Sequence, residues 1–71
     1  MGLMITQEML ETMYLNKRVK LIAPMQDKHP IEVGSEGVVY NVGNNVLNVE
    51  WDNGRKLGLI FDLDQFDIVN N

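Results

Sequence analysis

Apolar and polar residues alternate in several short segments of this chain, and turn residues separate the segments. Alternation with a period of two is typical of strands that bury one face of a sheet. Strands are predicted over residues 18–22, 38–42, 46–51, 55–61 and 66–69. Five short strands at this spacing favour a small closed antiparallel barrel over a flat sheet. We therefore expect a mostly β domain.

The segments between the strands are rich in residues that break regular structure. Residues 23–34 include Pro24, Pro30 and Gly34, which are too many breakers for a central strand, so a long loop is predicted there. Loops of this length in compact domains are often functional, or they become ordered by packing. Shorter turns are predicted at residues 34–37, 43–45 and 62–65.

The most specific segment is a hairpin folded about Asp52-Asn53-Gly54. A two-residue loop at Asn53 and Gly54 would mix apolar and polar side chains on each face. A three-residue loop, with a type I turn and Gly54 in the left-handed region, collects the large apolar residues on one face. The opposite pairs are then Trp51 with Arg55, Val49 with Leu57, and Leu47 with Leu59. Because a one-residue slip would turn the apolar set to solvent, we predict the three-residue loop.

A short helix is predicted near the N-terminus. Thr6 suits the N-cap, and Glu8 lies in the first turn, where the helix dipole favours an anion. The apolar residues at helical spacing are Met9, Leu10, Met13 and Tyr14. So short a helix needs packing to persist, and we expect this stripe to cover one open end of the barrel. A methionine-rich face that binds a partner or a second copy, giving a homodimer, is the alternative.

Composition narrows the classes of function. A chain of 71 residues forms one domain with a small core. The absence of cysteine excludes disulfides and thiolate zinc sites, and it fits the cytoplasm. We see no signal peptide and no membrane span. Ten acidic residues against six basic ones give a net charge of −4, which disfavours nucleic acid, because duplexes are bound mainly through Lys and Arg.

No group of residues indicates catalysis, so we expect a protein that is not an enzyme and uses no cofactor or metal. His29, the one histidine, lies in a loop next to proline and is expected at the surface. Asp62, Asp64 and Asp67 lack the spacing and the glycine of a calcium loop. Ser35, the one serine, lies in a turn and not in a nucleophile elbow.

Several segments together resemble a known family. They are KRVKLI at residues 17–22, GSEGVV at 34–39, VEWDNG with LGLI at 49–54 and 57–60, and DQF at 64–66. In these segments the chain is similar to the Domain of Unknown Function 4314 family, small proteins of bacteria, phages and mobile elements. The resemblance implies an SH3-like barrel. Together with the helix predicted from the residues, this divides the chain into a helix over residues 1–16, packed on the barrel or capping it, and a barrel over residues 17–71. The resemblance implies no activity. The chain departs from the family in a shorter turn at 43–45, and at 61–63, where the family often has a Pro-Gly segment.

An aromatic and charged surface is the remaining candidate for binding. Its predicted residues are Trp51, Arg55, Lys56, Tyr40 and Lys20. SH3-like barrels commonly bind peptides or nucleic acids through grooves with aromatic side chains, so this candidate rests on analogy between folds. For Trp51 we favour the alternative of a place in the core beside Val49, with Arg55 stacked on its ring.

The expected function is that of a non-enzymatic binding or adaptor module with a protein partner, in a phage or mobile-element context. One alternative is a nucleic-acid-associated module that uses the basic residues Lys17, Arg18, Lys20, Arg55 and Lys56. Another is a phage-type inhibitor of a bacterial defence or host enzyme, whose acidic surface mimics nucleic acid or caps a basic groove.

Overall fold

The computed structural model describes residues 6–69, which form one helix and one five-stranded antiparallel sheet. The elements are α1 (Gln7–Tyr14), β1 (Arg18–Leu21), β2 (Glu36–Gly43), β3 (Val46–Trp51), β4 (Lys56–Ile60) and β5 (Phe66–Ile68). The mostly β fold with a short N-terminal helix is thus confirmed. Residues 1–5 of the predicted helical segment (1–16) and residues 70–71 of the predicted barrel segment (17–71) lie outside the described residues.

Helix α1 begins at its predicted cap. The Thr6 side chain accepts a hydrogen bond from the backbone N–H of Met9 at 3.2 Å. Leu10 is buried and Tyr14 packs half-buried against the core, whereas Met9 and Met13 remain 46% and 44% exposed. Only half of the predicted apolar stripe therefore packs against the rest of the protein.

The strands follow the order β4-β3-β2-β1-β5, and all neighbours are antiparallel. Within residues 6–69 the edge strands β4 and β5 do not pair with each other, so the predicted closed barrel is not confirmed. One physical reason is visible at the end of β4. The Asp64 carboxylate accepts a hydrogen bond from the backbone N–H of Ile60 at 2.7 Å. This N–H lies on the unpaired edge of β4, so it is no longer free to donate to β5, as closing the barrel would require.

The hairpin between β3 and β4 has the predicted register. The backbone N–H of Trp51 donates to the carbonyl of Arg55 at 2.8 Å, and the N–H of Gly54 donates to the carbonyl of Trp51 at 2.9 Å. Gly54 has a φ of +91°, while Asn53 has no positive φ. Leu47 faces Leu59, and Val49 faces Leu57. The three-residue loop is therefore confirmed.

Strand β2 starts at Glu36, within a segment predicted to be a turn. Gly37 lies so close to β3 that a Cβ atom on it would sit 2.6 Å from the backbone oxygen of Glu50 and 2.8 Å from the Cα of Trp51. The glycine thus marks a close approach of two strands and not a turn, and the prediction at this position was wrong for that reason.

Strand β2 also contains a bulge that the sequence pattern does not predict. Val39 pairs with Val49, but the next pair is Asn41 with Asn48, so Tyr40 is the extra residue. Tyr40 and its successor both face solvent, where a regular strand would turn one of them inward.

The long loop between β1 and β2 is ordered by packing, one of the two alternatives expected for it. Its side chains Met25 and Ile31 are buried in the core. The Arg55 guanidinium ties the loop to the hairpin, because it donates to the carbonyl of His29 at 2.6 Å and to that of Pro30 at 3.2 Å.

The core lies on the inner face of the sheet and is apolar throughout. Its largest fully buried side chains are Trp51, Leu21, Leu47, Leu59, Val19, Val39 and Val49. Across residues 6–69 no polar or charged residue is buried. The one helix in this part of the chain lacks the length and apolar character that crossing a membrane requires.

Candidate interaction surface

The sheet buries its inner face in the core, so its outer face is the one whose side chains are open to a partner. Register places Arg18, Val38, Glu50 and Lys56 in one row across β1 to β4. A second row contains Asp67, Lys20 and Glu36. These two rows, together with Tyr40, which lies two residues after Val38 on β2, are called the outer face.

Tyr40 is the large aromatic side chain of the outer face. It is 46% exposed, and the Lys56 ammonium lies 5.5 Å from its ring centroid, within the range of a cation–π contact. A shallow groove of about 450 Å³ runs beside Tyr40 and is also lined by Val38, Glu50 and Asp52. The structure therefore brings two of the five predicted site residues, Tyr40 and Lys56, into contact.

Trp51 lies on the opposite face, in the core. It is 1% exposed, and its indole N–H donates to the carbonyl of Leu57 at 2.9 Å. The ring is therefore buried in the core, and a binding role for Trp51, which also borders the groove beside Tyr40, stays a prediction. The favoured alternative, a core position beside Val49, is confirmed. The physical reason is that every second residue of β3 points into the core, and Trp51 is one of these residues.

Arg55 does not stack on the tryptophan ring. Its guanidinium instead binds the two loop carbonyls described above, and its backbone N–H donates to the side chain of Asn53 at 2.9 Å. Arg55 thus joins the hairpin to the long loop. No pattern in the sequence identifies those carbonyls, because they lie 25 and 26 positions away.

Lys20 shares the outer face but lies apart from Tyr40. Its cross-strand partners are Glu36 and Asp67. Tyr40 lies four residues beyond Glu36 on β2, which corresponds to about 13 Å along a strand. The predicted set of five residues therefore does not form a single cluster.

The basic residues of the outer face alternate with acidic ones. Arg18 forms an ion pair with Asp52 at 2.8 Å and a longer one with Glu36 at 3.6 Å. The hydrogen bond and the charge of Asp52 raise the pKa of Arg18 above its usual value. Lys20 faces two acids, and Lys56 faces Glu50. The outer face therefore presents a mixed charge pattern and not the continuous positive patch that phosphate binding needs.

Two acidic residues near the C-terminal end, Asp62 and Asp64, accept hydrogen bonds that hold neighbouring turns. Asp62 accepts a hydrogen bond from the side-chain amide of Asn45 at 2.7 Å, and Asp64 accepts the one from Ile60. Within the described residues no three His, Asp or Glu side chains are gathered so that they would hold a metal ion. His29 is exposed in its loop, where its backbone N–H donates to Asp27 at 2.9 Å.

The groove residues Val38, Glu50 and Asp52 are not among the residues predicted from the sequence. Alternation does place Val38 and Glu50 on the polar side of their strands. Val38 precedes Tyr40 by two residues on the same face of β2, and the register between β2 and β3 places Glu50 opposite Val38.

Fold and surface together define a small antiparallel β domain with a mixed-charge outer face. The profile of the family described as "Domain of unknown function (DUF4314)" matches residues 6–69, and the chain belongs to this family. The resemblance found in the sequence is thus confirmed. No significant match was found among the curated proteins or among the solved structures. The comparisons therefore assign a family and no activity.

Proposed function

We propose that this protein is a non-enzymatic binding module that recognises a protein partner through the outer face around Tyr40. We further propose that it acts in the cytoplasm, in a phage or mobile-element context. The observation that carries the proposal is Tyr40 itself, a bulged residue that is 46% exposed beside a groove.

Alternation places Tyr40 on the outer face after the buried Val39, and the bulge turns the next residue, Asn41, outward as well. A bulge interrupts the strand ladder, and such bulges commonly re-aim a side chain near a functional surface. Tyrosine is enriched in the centres of protein interfaces, because its ring offers a large area at little conformational cost. The contact with Lys56 holds the ring in place before a partner arrives.

The charge pattern favours a protein partner over nucleic acid. Arg18, Lys20 and Lys56 each have an acidic neighbour, so few free cations remain to replace counterions on phosphates. The alternative of a nucleic-acid-associated module predicts binding that weakens steeply with salt. An electrophoretic shift at low salt that disappears as salt is raised would favour that alternative over the present proposal.

The inhibitor alternative rests on the acidic character of the chain. A net charge of −4 on a small domain suits capping of a basic groove on a host enzyme. This alternative predicts a stable complex with a basic host protein, and its partner would be identified in the capture experiment below.

For the architecture we propose an SH3-like barrel that is incompletely closed. In support, β1 to β4 are consecutive antiparallel neighbours, and β5 returns to pair with β1. An experimental structure in which the sheet is flat, without β4 and β5 curling towards each other, would refute this.

The function is tested by capture from host lysate, comparing wild type with two variants. Tyr40→Ala removes the ring, which is 46% exposed, from the outer face, and Leu63→Ala removes an apolar side chain of similar exposure, 53%, from a turn. Both exposed sites should leave stability within about 0.5 kcal/mol of wild type. We expect a reproducible partner with wild type and Leu63→Ala that is lost with Tyr40→Ala. Equal recovery by all three, or no reproducible partner, would refute the proposal.

A further inference from the structure

Strand β5 has a backbone edge without a partner in the described part of the chain. The pairs of β1 with β5 are Val19 with Ile68, Lys20 with Asp67, and Leu21 with Phe66. The Val69 N–H donates to the carbonyl of Arg18, and the Ile22 N–H donates to that of Gln65. Antiparallel hydrogen bonds alternate, so Asp67 directs its N–H and C=O towards Lys20. Phe66 and Ile68 direct theirs away from the sheet.

A groove runs along this same edge. It has a volume of about 510 Å³, and all three residues of β5, namely Phe66, Asp67 and Ile68, are among those that line it. Tyr14 and Phe61 supply an aromatic wall, since the ring centroid of Tyr14 lies 5.6 Å from that of Phe66 and 5.7 Å from that of Phe61. Ile68 is 39% exposed, so apolar surface remains open there.

The charges of the groove have one sign. Asp64 and Asp67 line it, and no Lys or Arg is among the lining residues. The Asp64 carboxylate is hydrogen-bonded to the N–H of Ile60 at the end of β4, whereas Asp67 lies on the outer face beside Lys20. A ligand that follows the edge would therefore meet an apolar surface on the inner side and a carboxylate on the outer side.

We propose that the free edge of β5 binds an extended peptide segment of another protein, in which apolar residues alternate with lysine or arginine. In antiparallel pairing, residues opposite Phe66 and Ile68 share their inner face, so these peptide positions are apolar. The intervening positions lie on the outer side next to Asp67, where a cation is favoured. Backbone hydrogen bonds supply affinity, and the alternating side chains supply selectivity.

The edge carries some of the features that limit pairing and lacks others. Strands at the edge of natural sheets are commonly protected by lysine, proline, a bulge, a charge or a short length, and β5 has only its charge, Asp67, and its short length. It is only three residues long, which restricts the contact to a short segment. Asp67 belongs to the outer face, but the groove along β5 shares no lining residue with the groove beside Tyr40, so the two proposals are tested independently.

The test uses the full chain and a blocked pentapeptide, Lys-Val-Lys-Val-Lys, followed by amide exchange and chemical shifts in NMR. In the free protein we expect rapid exchange at the amides of Phe66 and Ile68 and protection at Asp67. Saturating peptide should protect Phe66 and Ile68 and leave Asp67 unchanged. N-methylation of the two valines should abolish binding, because their N–H groups face β5, while N-methylation of the central lysine should not.

Charge selectivity is tested with Glu-Val-Glu-Val-Glu and with Asp67→Lys. Wild type should prefer the lysine peptide by about threefold or more, and the variant should reverse that preference. Asp67→Asn should reduce the preference without reversing it, and it serves as a second variant if Asp67→Lys disturbs the fold. Tyr40→Ala should bind the lysine peptide as wild type does.

Three results would overturn the proposal. The first is unchanged exchange at Phe66 and Ile68 with saturating peptide. The second is a set of chemical shift changes centred on Tyr40, which would mean that the peptide prefers the outer face. The third is protection of the β5 amides that rises with protein concentration alone, because the edge would then pair with a second copy of this chain.

Discussion

Gly37 offers the sharpest test of how β2 is held against β3. A Cβ atom there would lie 2.6 Å from the backbone oxygen of Glu50, 2.7 Å from Cγ1 of Val49 and 2.8 Å from Cα of Trp51. Two of these three atoms belong to the backbone, which cannot rotate away. Gly37→Ala therefore requires β3 to move or the core around it to distort.

The magnitude follows from overpacking. Inserting a methyl group into a well-packed region costs typically about 1–3 kcal/mol. The lower entropy of the unfolded alanine chain returns about 0.4–1 kcal/mol. Because backbone atoms are involved, we expect the upper part of the range, a net loss of about 2 kcal/mol. For a domain of this size that corresponds to a fall in Tm of roughly 8–16 °C.

Gly43→Ala is the matched control. Gly43 lies on the same strand and has no positive φ, and a Cβ atom on it would meet no heavy atom within 4 Å. This variant should therefore be as stable as wild type or more stable, by up to about 0.5–1 kcal/mol.

The assay is urea unfolding followed by the fluorescence of Trp51, the one tryptophan, which is buried in the fold. Circular dichroism on the same samples guards against a change in the emission of Trp51 itself. If Gly37→Ala unfolds within about 0.5 kcal/mol of wild type, the close approach of β2 and β3 is not a constraint and the reasoning is wrong.

Other predictions concern the core tryptophan, the hydrogen bonds from Arg55 to the long loop, and the ion pair on the outer face. Trp51→Phe removes the bond to Leu57 and leaves a cavity, so it should lower the free energy of unfolding by about 2–3 kcal/mol in circular dichroism; a loss under about 0.5 would contradict the assigned role. Arg55→Lys loses the planar guanidinium that binds both loop carbonyls, so it should accelerate amide exchange at His29 and Gly34, whose N–H groups are hydrogen-bonded. Unchanged exchange there would count against a role of Arg55 in holding the loop. Arg18→Gln should lower the Tm slightly, by an amount that shrinks in high salt, whereas a salt-independent loss would exclude an ion pair as the cause.

The hairpin was predictable in detail because its determinants are local. Leu47, Val49 and Trp51 repeat with a period of two, and a polar loop of three residues is the length that brings Leu57 and Leu59 to the same side. Burial of one face penalises every other register. The helix cap at Thr6 was predictable for the same reason, since it involves a bond over three residues.

The candidate surface was only partly predictable. Tyr40 and Lys56 were both selected for their chemistry, and the structure places them in contact. Trp51 was selected for the same reason and is buried, because parity and not residue type decides which face a strand residue occupies. The bulge at Tyr40 and the pairing of Arg55 with the loop depend on contacts between distant segments, which no local pattern encodes.

The sequence by itself determined the five strands, the register of the central hairpin, the loop at residues 23–34 and the family. These follow from alternation, turn residues and motifs, which act over a few positions of the chain. Only the tertiary structure decided that β4 and β5 do not pair, and that Arg18 and Lys20 lie beside acidic residues. The charge pattern depends on the register between strands that are far apart in sequence, and the unpaired edges depend on the turn after β4, where the Asp64 carboxylate binds the N–H of Ile60.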